Sequence, residues 1–123
     1  MPVTLYGIAN CDTVKRARSW LVEHAVDASF HDFKKAGVPP DHLDAWLRSA
    51  GWERLLNRKG TAWRKLDESV RAEVVDAGSA RAVMLAQPSV IKRPVVEWDA
   101  TTTTVGFDPD AWPPSGTALE RRS

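Results

Sequence analysis

A single cysteine, Cys11, stands where the chain passes from strand to helix. In the stretch Tyr6-Gly7-Ile8-Ala9-Asn10-Cys11-Asp12-Thr13-Val14-Lys15-Arg16-Ala17-Arg18, the turn residues Gly7 and Asn10 separate an apolar, β-prone run from Val14, Ala17 and Leu21, which recur at helical spacing. Cys11 therefore falls in or just before the first helical turn, with Asn10 as the predicted N-cap. The unsatisfied N–H groups there and the positive end of the helix dipole favour a thiolate, the nucleophilic form of the side chain. Lys15 and Arg16 act in the same direction, and Asp12 acts against them. The same position also suits a small buried hydrophobe, a common role for an unpaired cysteine.

Two strands and a helix must hold that thiol. Residues 3–6 read as the first strand, residues 12–24 as the helix, and Ala28-Ser29-Phe30-His31-Asp32-Phe33 as a second strand. This order implies a right-handed βαβ unit with parallel strands. Residues 34–40 read as loop, and Asp41 as the cap of a helix whose face carries Leu43, Trp46, Leu47 and Ala50, with Gly51 as its stop. A short helix over residues 52–56 and a turn over residues 57–60 follow. One helix then carries Leu66, Val70 and Val74, and a last one, residues 80–87, starts after a break at Gly78-Ser79. The β pattern returns in Val95-Val96-Glu97-Trp98 and Thr103-Thr104-Val105-Gly106-Phe107, paired across a turn at residues 99–102. Pro94 is expected at the first residue of its strand or in a special bend, where a cis Arg93-Pro94 bond would fit. Asp108-Pro109-Asp110-Ala111-Trp112 reads as a short C-terminal helix.

The fold class read from this order is α/β. It is a thioredoxin-like four-stranded mixed sheet made of β-α-β, a helical insertion at about 39–88, a β-hairpin and the short helix. One domain is expected over residues 1–112, and residues 113–123 form a proline-rich tail expected to be flexible.

A chain of 123 residues is long enough for a real core without disulfides or metals. One cysteine excludes an internal disulfide and a multi-thiolate zinc site, so a second thiol in any redox cycle must come from another molecule. His24, His31 and His42 show no metal-ligand spacing, and no metal site is expected. The formal charge of +1 offers no general electrostatic reason for nucleic-acid binding. No apolar run approaches a membrane span and no secretory leader opens the sequence, so a cytoplasmic protein without membrane association is expected. The six tryptophans read as core and interhelix packing.

Three separated motifs point to a family. Gly7-Ile8-Ala9-Asn10-Cys11-Asp12-Thr13, Leu55-Leu56-Asn57-Arg58-Lys59-Gly60-Thr61 with Trp63-Arg64-Lys65-Leu66, and Ile91-Lys92-Arg93-Pro94 resemble the arsenate-reductase-like (ArsC/Spx) family, most of all its YffB-like branch. The resemblance spans about residues 3–108. It implies that Cys11 is the nucleophile and that Arg58 and Arg93 bind an oxyanion or carboxylate through paired, charge-assisted hydrogen bonds. Asn10, Lys15 and Pro94 are assigned to the same anion- or glutathione-binding site. It further implies a glutathione-dependent thiol/disulfide or arsenate-type reductase with no bound cofactor. Glutathione would be the co-substrate, and glutaredoxin or a protein thiol would be further candidate partners of a monomer. The alternative is an Spx-like non-enzymatic regulator that binds RNA polymerase. Val105-Gly106-Phe107-Asp108 lacks the further arginine that arsenate reductases carry beside a proline after the last hairpin strand.

Overall fold

The computed structural model describes residues 3–112, and these form two compact units. The expected tail, residues 113–123, lies outside the described residues. The first unit comprises residues 3–32 and 93–112 and holds a four-stranded mixed sheet. Its strands are β1 (Val3–Gly7), β2 (Ala28–Asp32), β3 (Val95–Glu97) and β4 (Thr103–Val105), in spatial order β2-β1-β3-β4. Strand β1 runs parallel to β2, with Tyr6 opposite His31, and antiparallel to β3, with Tyr6 opposite Val95. Strands β3 and β4 form the expected hairpin. Asp99 closes its turn by accepting hydrogen bonds from the N–H groups of Thr101 and Thr102 at 2.9 and 2.8 Å.

Helix α1 (Asp12–Glu23) connects the parallel strands and buries Val14, Ala17 and Leu21, the face its periodicity marked. These side chains join Val3, Leu5, Val26, Val96, Trp98 and Trp112 in one apolar cluster. Full burial of a valine or leucine contributes about 1.5–3 kcal/mol, so this single stripe is enough to anchor the helix. Trp112 meets Trp20, Trp98 and Phe107 edge-on, with ring centroids 5.0, 4.9 and 4.9 Å apart. Such contacts each add about 0.5–1.5 kcal/mol to the area buried. The expected C-terminal helix is instead a turn among the described residues, closed by the Ala111 N–H on the Asp108 carbonyl at 3.1 Å. The strands are also shorter than their apolar runs: Trp98 and Phe107 lie beyond β3 and β4.

The second unit, residues 33–92, is helical. It holds α2 (Phe33–Ala36), α3 (Pro40–Ala50), α4 (Trp52–Leu55), α5 (Thr61–Arg64), α6 (Glu68–Ala72) and α7 (Ala77–Ala86), followed by a 3₁₀ turn, Pro88–Val90. Gly51 ends α3 with φ 86°, a backbone that glycine adopts without a Cβ penalty. Phe33, Leu43, Trp46, Leu55, Leu56, Ala80, Met84, Val90 and Ile91 are buried here. Arg81 on α7 meets Asp44 on α3 at 2.6 Å, a half-exposed pair worth no more than about 1 kcal/mol.

Several local expectations are corrected. Phe33, expected to end the second strand, and residues 34–36, expected as loop, are helical, because the buried Phe33 anchors a turn that composition alone does not mark. Pro39 is the N-cap of α3 and Asp41 lies in the first turn, where Pro40 fits because the missing N–H would have had no partner. Leu66, Val70 and Val74 do not share one helix: α5 ends at Arg64 and α6 spans five residues. Helix α7 begins at Ala77, so Gly78-Ser79 is inside it. The cap is Asp76, whose carboxylate accepts the Ser79 N–H at 2.9 Å while Ser79 Oγ accepts the Asp76 N–H at 3.1 Å.

Candidate active site

Strand β1 ends at Gly7, and a Cβ there would lie 2.8 Å from Cγ2 of Val14, a fully buried and stiff side chain. Glycine thus permits the close approach of strand and helix that sets the start of α1. Ile8 is buried, Ala9 and Asn10 form the exposed turn, and Cys11 is the N-cap, with φ −136° and ψ 123°. Asn10, expected as the cap, stands one residue too early. The Cys11 carbonyl accepts the Lys15 N–H at 2.9 Å, the first bond of the helix. Its half-buried thiol faces the N–H groups of Thr13 and Val14.

Arg93 reaches the same sulfur through the sheet. Because β3 runs antiparallel to β1 with Val95 opposite Tyr6, the residues before Val95 lie at the end of β1 from which the chain enters α1. The Arg93-Pro94 bond is cis, and Pro94 is buried just before the first residue of β3. Its carbonyl accepts the Gly106 N–H at 2.8 Å, tying the arginine's neighbour to the end of the hairpin. Partial burial pushes the Cys11 thiol up. The Val14 N–H, the hydrogen bond and charge of Arg93, and the Thr13 N–H together outweigh burial and hold the thiol below its ordinary value.

Cys11, Asn10, Lys15, Arg93 and Pro94 thus all fall in the sheet-bearing unit, Lys15 one helical turn beyond Cys11 and exposed. Arg58 belongs to the helical unit. It follows α4 on an exposed turn and lays its guanidinium over the Trp52 ring, 5.1 Å from the centroid. Within that unit its backbone is held by a bridge between Leu56 and Ile91 and by the Asn57 N–H on the Val90 carbonyl at 2.8 Å.

Three features of the sheet-bearing unit escaped sequence reasoning. Cys11 itself as the N-cap was missed, because Asn10 is the stronger cap by residue type; the helix-start N–H groups expected to favour the thiolate are thereby those of Thr13 and Val14. The Tyr6 hydroxyl donates to Glu97 Oε1 at 2.9 Å, a cross-strand pair that no local signal marks. Trp20, read as a packing residue, and Phe107, read as the end of the last strand, also line a groove beside Lys15 and Arg16. Among the described residues no group of three His, Cys, Asp or Glu side chains could hold a metal ion, and no helix is long and apolar enough to cross a membrane.

A lone thiol at the start of the helix that follows the first strand of a four-stranded mixed sheet, with an arginine and a cis proline leading into the third strand, defines a thioredoxin-like α/β protein. The chain belongs to the ArsC family, which matches residues 6–113. It is similar to the solved structure of the YFFB (PA3664) protein, at 52% identity and a TM-score of 0.83 over 89% of this chain and 94% of that one. An arsenate reductase (ArsC) related protein from Brucella melitensis is 56% identical, with a TM-score of 0.71 over 89% and 90%. The global transcriptional regulator Spx of Streptococcus pyogenes is 28% identical over 88% of this chain and 80% of its own.

Proposed function

We propose that this protein is a single-cysteine, glutathione-dependent thiol reductase. The observation that carries the reading is the junction of Cys11 with Arg93 and the Val14 and Thr13 N–H groups, which favours a thiolate at a half-buried helix start. The Cys11 thiolate attacks the glutathione sulfur of a substrate's glutathione mixed disulfide, forming a Cys11–glutathione S–S bond as the substrate sulfur leaves as thiolate and takes up a proton. A glutathione thiolate then attacks the glutathione sulfur of the Cys11–glutathione disulfide and releases Cys11 as thiolate. The net reaction turns a glutathione mixed disulfide and glutathione into a free thiol and oxidised glutathione. Arg93 binds the anionic groups of glutathione or substrate through charge-assisted hydrogen bonds, with Asn10, Lys15 and Pro94 shaping the site; Arg58, on the helical unit, is a further anion-binding candidate.

The test compares wild type with Cys11→Ser over a panel of mixed disulfides and oxyanions, arsenate included, with glutathione as reductant. Turnover of at least one disulfide that disappears in the variant supports the reading, and equal rates for the two proteins overturn it. The likeness to Spx favours a second reading, a regulator that docks on RNA polymerase. Stoichiometric recovery of polymerase subunits on the immobilised chain, with no Cys11-dependent turnover, would decide for it.

A further inference from the structure

A cavity lies between the C-terminal half of α1 and the edge strand β2, within the sheet-bearing unit. The helix ends there in a Schellman turn: Ala25 takes the left-handed region at φ 56°, its N–H bonds the Val22 carbonyl at 3.0 Å, and the Val26 N–H bonds the Leu21 carbonyl at 2.8 Å. Leu21 and Val26, the pair whose side chains meet in such a turn, are buried and form the cavity floor with Leu5 of β1. Ala28 and Phe30 wall it from β2, two residues apart and so on one face of the strand, where both pack on the apolar cluster. Ala28 ends at Cβ, and about 180 Å³ stays open between strand and helix. An engineered cavity of about 150 Å³ lined by Leu, Ile and Phe stays dry and takes benzene, so there is room here for a body of that size.

Two residues mark the mouth. Val22 is 77% exposed, an apolar side chain left in water at the rim of an apolar cavity. Arg18, one helical turn earlier, is exposed and is the only charged residue of the lining. Its guanidinium lies over the Phe30 ring, 4.3 Å from the centroid, which holds the cation at the rim. Among the described residues no carboxylate pairs with it. Glu23, next to Val22, lines the separate groove with Trp20 and Phe107.

We infer that this cavity is a binding site for a small monocarboxylate with a compact apolar body the size of a benzene ring. The body displaces water from the floor of Leu5, Leu21 and Val26, and the carboxylate meets the Arg18 guanidinium at the mouth through charge-assisted hydrogen bonds. The volume sets the class of ligand, since pockets for drug-sized molecules run from about 300 to 1,000 Å³. An uncharged amide of the same shape loses the charge assistance, and an amine meets like charge. The site stands apart from the thiol chemistry: Arg18 is about 10 Å beyond Cys11 along the helix axis.

The test follows the methyl resonances of the full chain while phenylacetate, or phenylacetamide as its uncharged counterpart, is titrated in. Phenylacetate is expected to shift the methyls of Leu5, Leu21, Val22 and Val26 and to saturate with a Kd of about 1 mM, the range for so small a ligand. Phenylacetamide is expected to bind about tenfold more weakly. Arg18→Gln, an exposed change that removes the charge, is expected to erase that difference. Ala28→Leu fills the cavity with Arg18 in place and is expected to abolish the shifts from both probes. Should Ala28→Leu not fold, the Arg18→Gln comparison decides alone. Equal affinity of acid and amide in wild type, or an acid preference that survives Arg18→Gln, overturns the assignment. So does a titration with neither probe reaching saturation. Loss of phenylacetate binding in Arg93→Ala, with shifts centred on the residues around Cys11, overturns it too, because the carboxylate then sits at the thiol.

Discussion

Arg93 hydrogen-bonds the sulfur of Cys11 across the sheet-bearing unit, bringing a fixed cation onto a helix-start thiol. The thiol is held below its ordinary value, so alkylation by iodoacetamide should stay fast at pH values below the usual thiol range. Arg93→Ala removes a stabiliser of the thiolate and is expected to move the alkylation profile to higher pH. Arg93→Lys keeps the charge without the planar fork and should move it less. Coincident profiles for wild type and Arg93→Ala would show that the helix start alone activates the thiol.

Gly7→Ala tests the contact that positions α1. The added methyl would stand 2.8 Å from the Val14 side chain, which is buried and stiff at χ1. A loss of about 1–3 kcal/mol in urea unfolding is expected. Adding Val14→Ala relieves the clash at the cost of a small cavity, so the two losses should combine to less than their sum.

Tyr6→Phe removes the hydroxyl that donates to Glu97 at 2.9 Å. Loss of a hydrogen bond to a carboxylate in this part-buried place should cost about 1–2 kcal/mol. Burial first, then the hydrogen bond and charge of Glu97, raises the Tyr6 pKa. The folded state thus holds the proton after the unfolded chain has lost it. Stability from Tyr6 is fully present below pH about 10 and is lost as pH rises above that. Chemical denaturation from pH 8 to 11 should therefore show an alkaline decline that is weaker in Tyr6→Phe.

Arg58→Ala is expected to act on substrate rather than on the thiol. The groups that lower Cys11 are Val14, Arg93 and Thr13, whereas Arg58 lies over Trp52 in the helical unit. Its loss should raise KM for the anionic co-substrate, with the alkylation profile of Cys11 unmoved. A shifted profile would make Arg58 part of thiol activation.

Local pattern carried much of this protein. The apolar run of β1, the stripe Val14, Ala17 and Leu21, the stop at Gly51 and the β3–β4 hairpin are all set by residues close in the chain, where periodicity and turn chemistry act directly. The place of Cys11 at the helix start was legible for the same reason, and the motif around it pointed to the family. Local rules misled where packing overrode residue type: Phe33 made a helical turn of a loop composition, and the cap passed from Asn10 to Cys11. The resemblance assigned Arg93 to the site of Cys11, but only the tertiary structure set the arginine on the sulfur and Phe107 beside Trp20. Those meetings depend on β3 pairing antiparallel with the central β1 and on the hairpin returning past α1. Strand order and register are properties of the whole sheet, decided by which faces bury together, and no window of sequence around any one of these residues contains them.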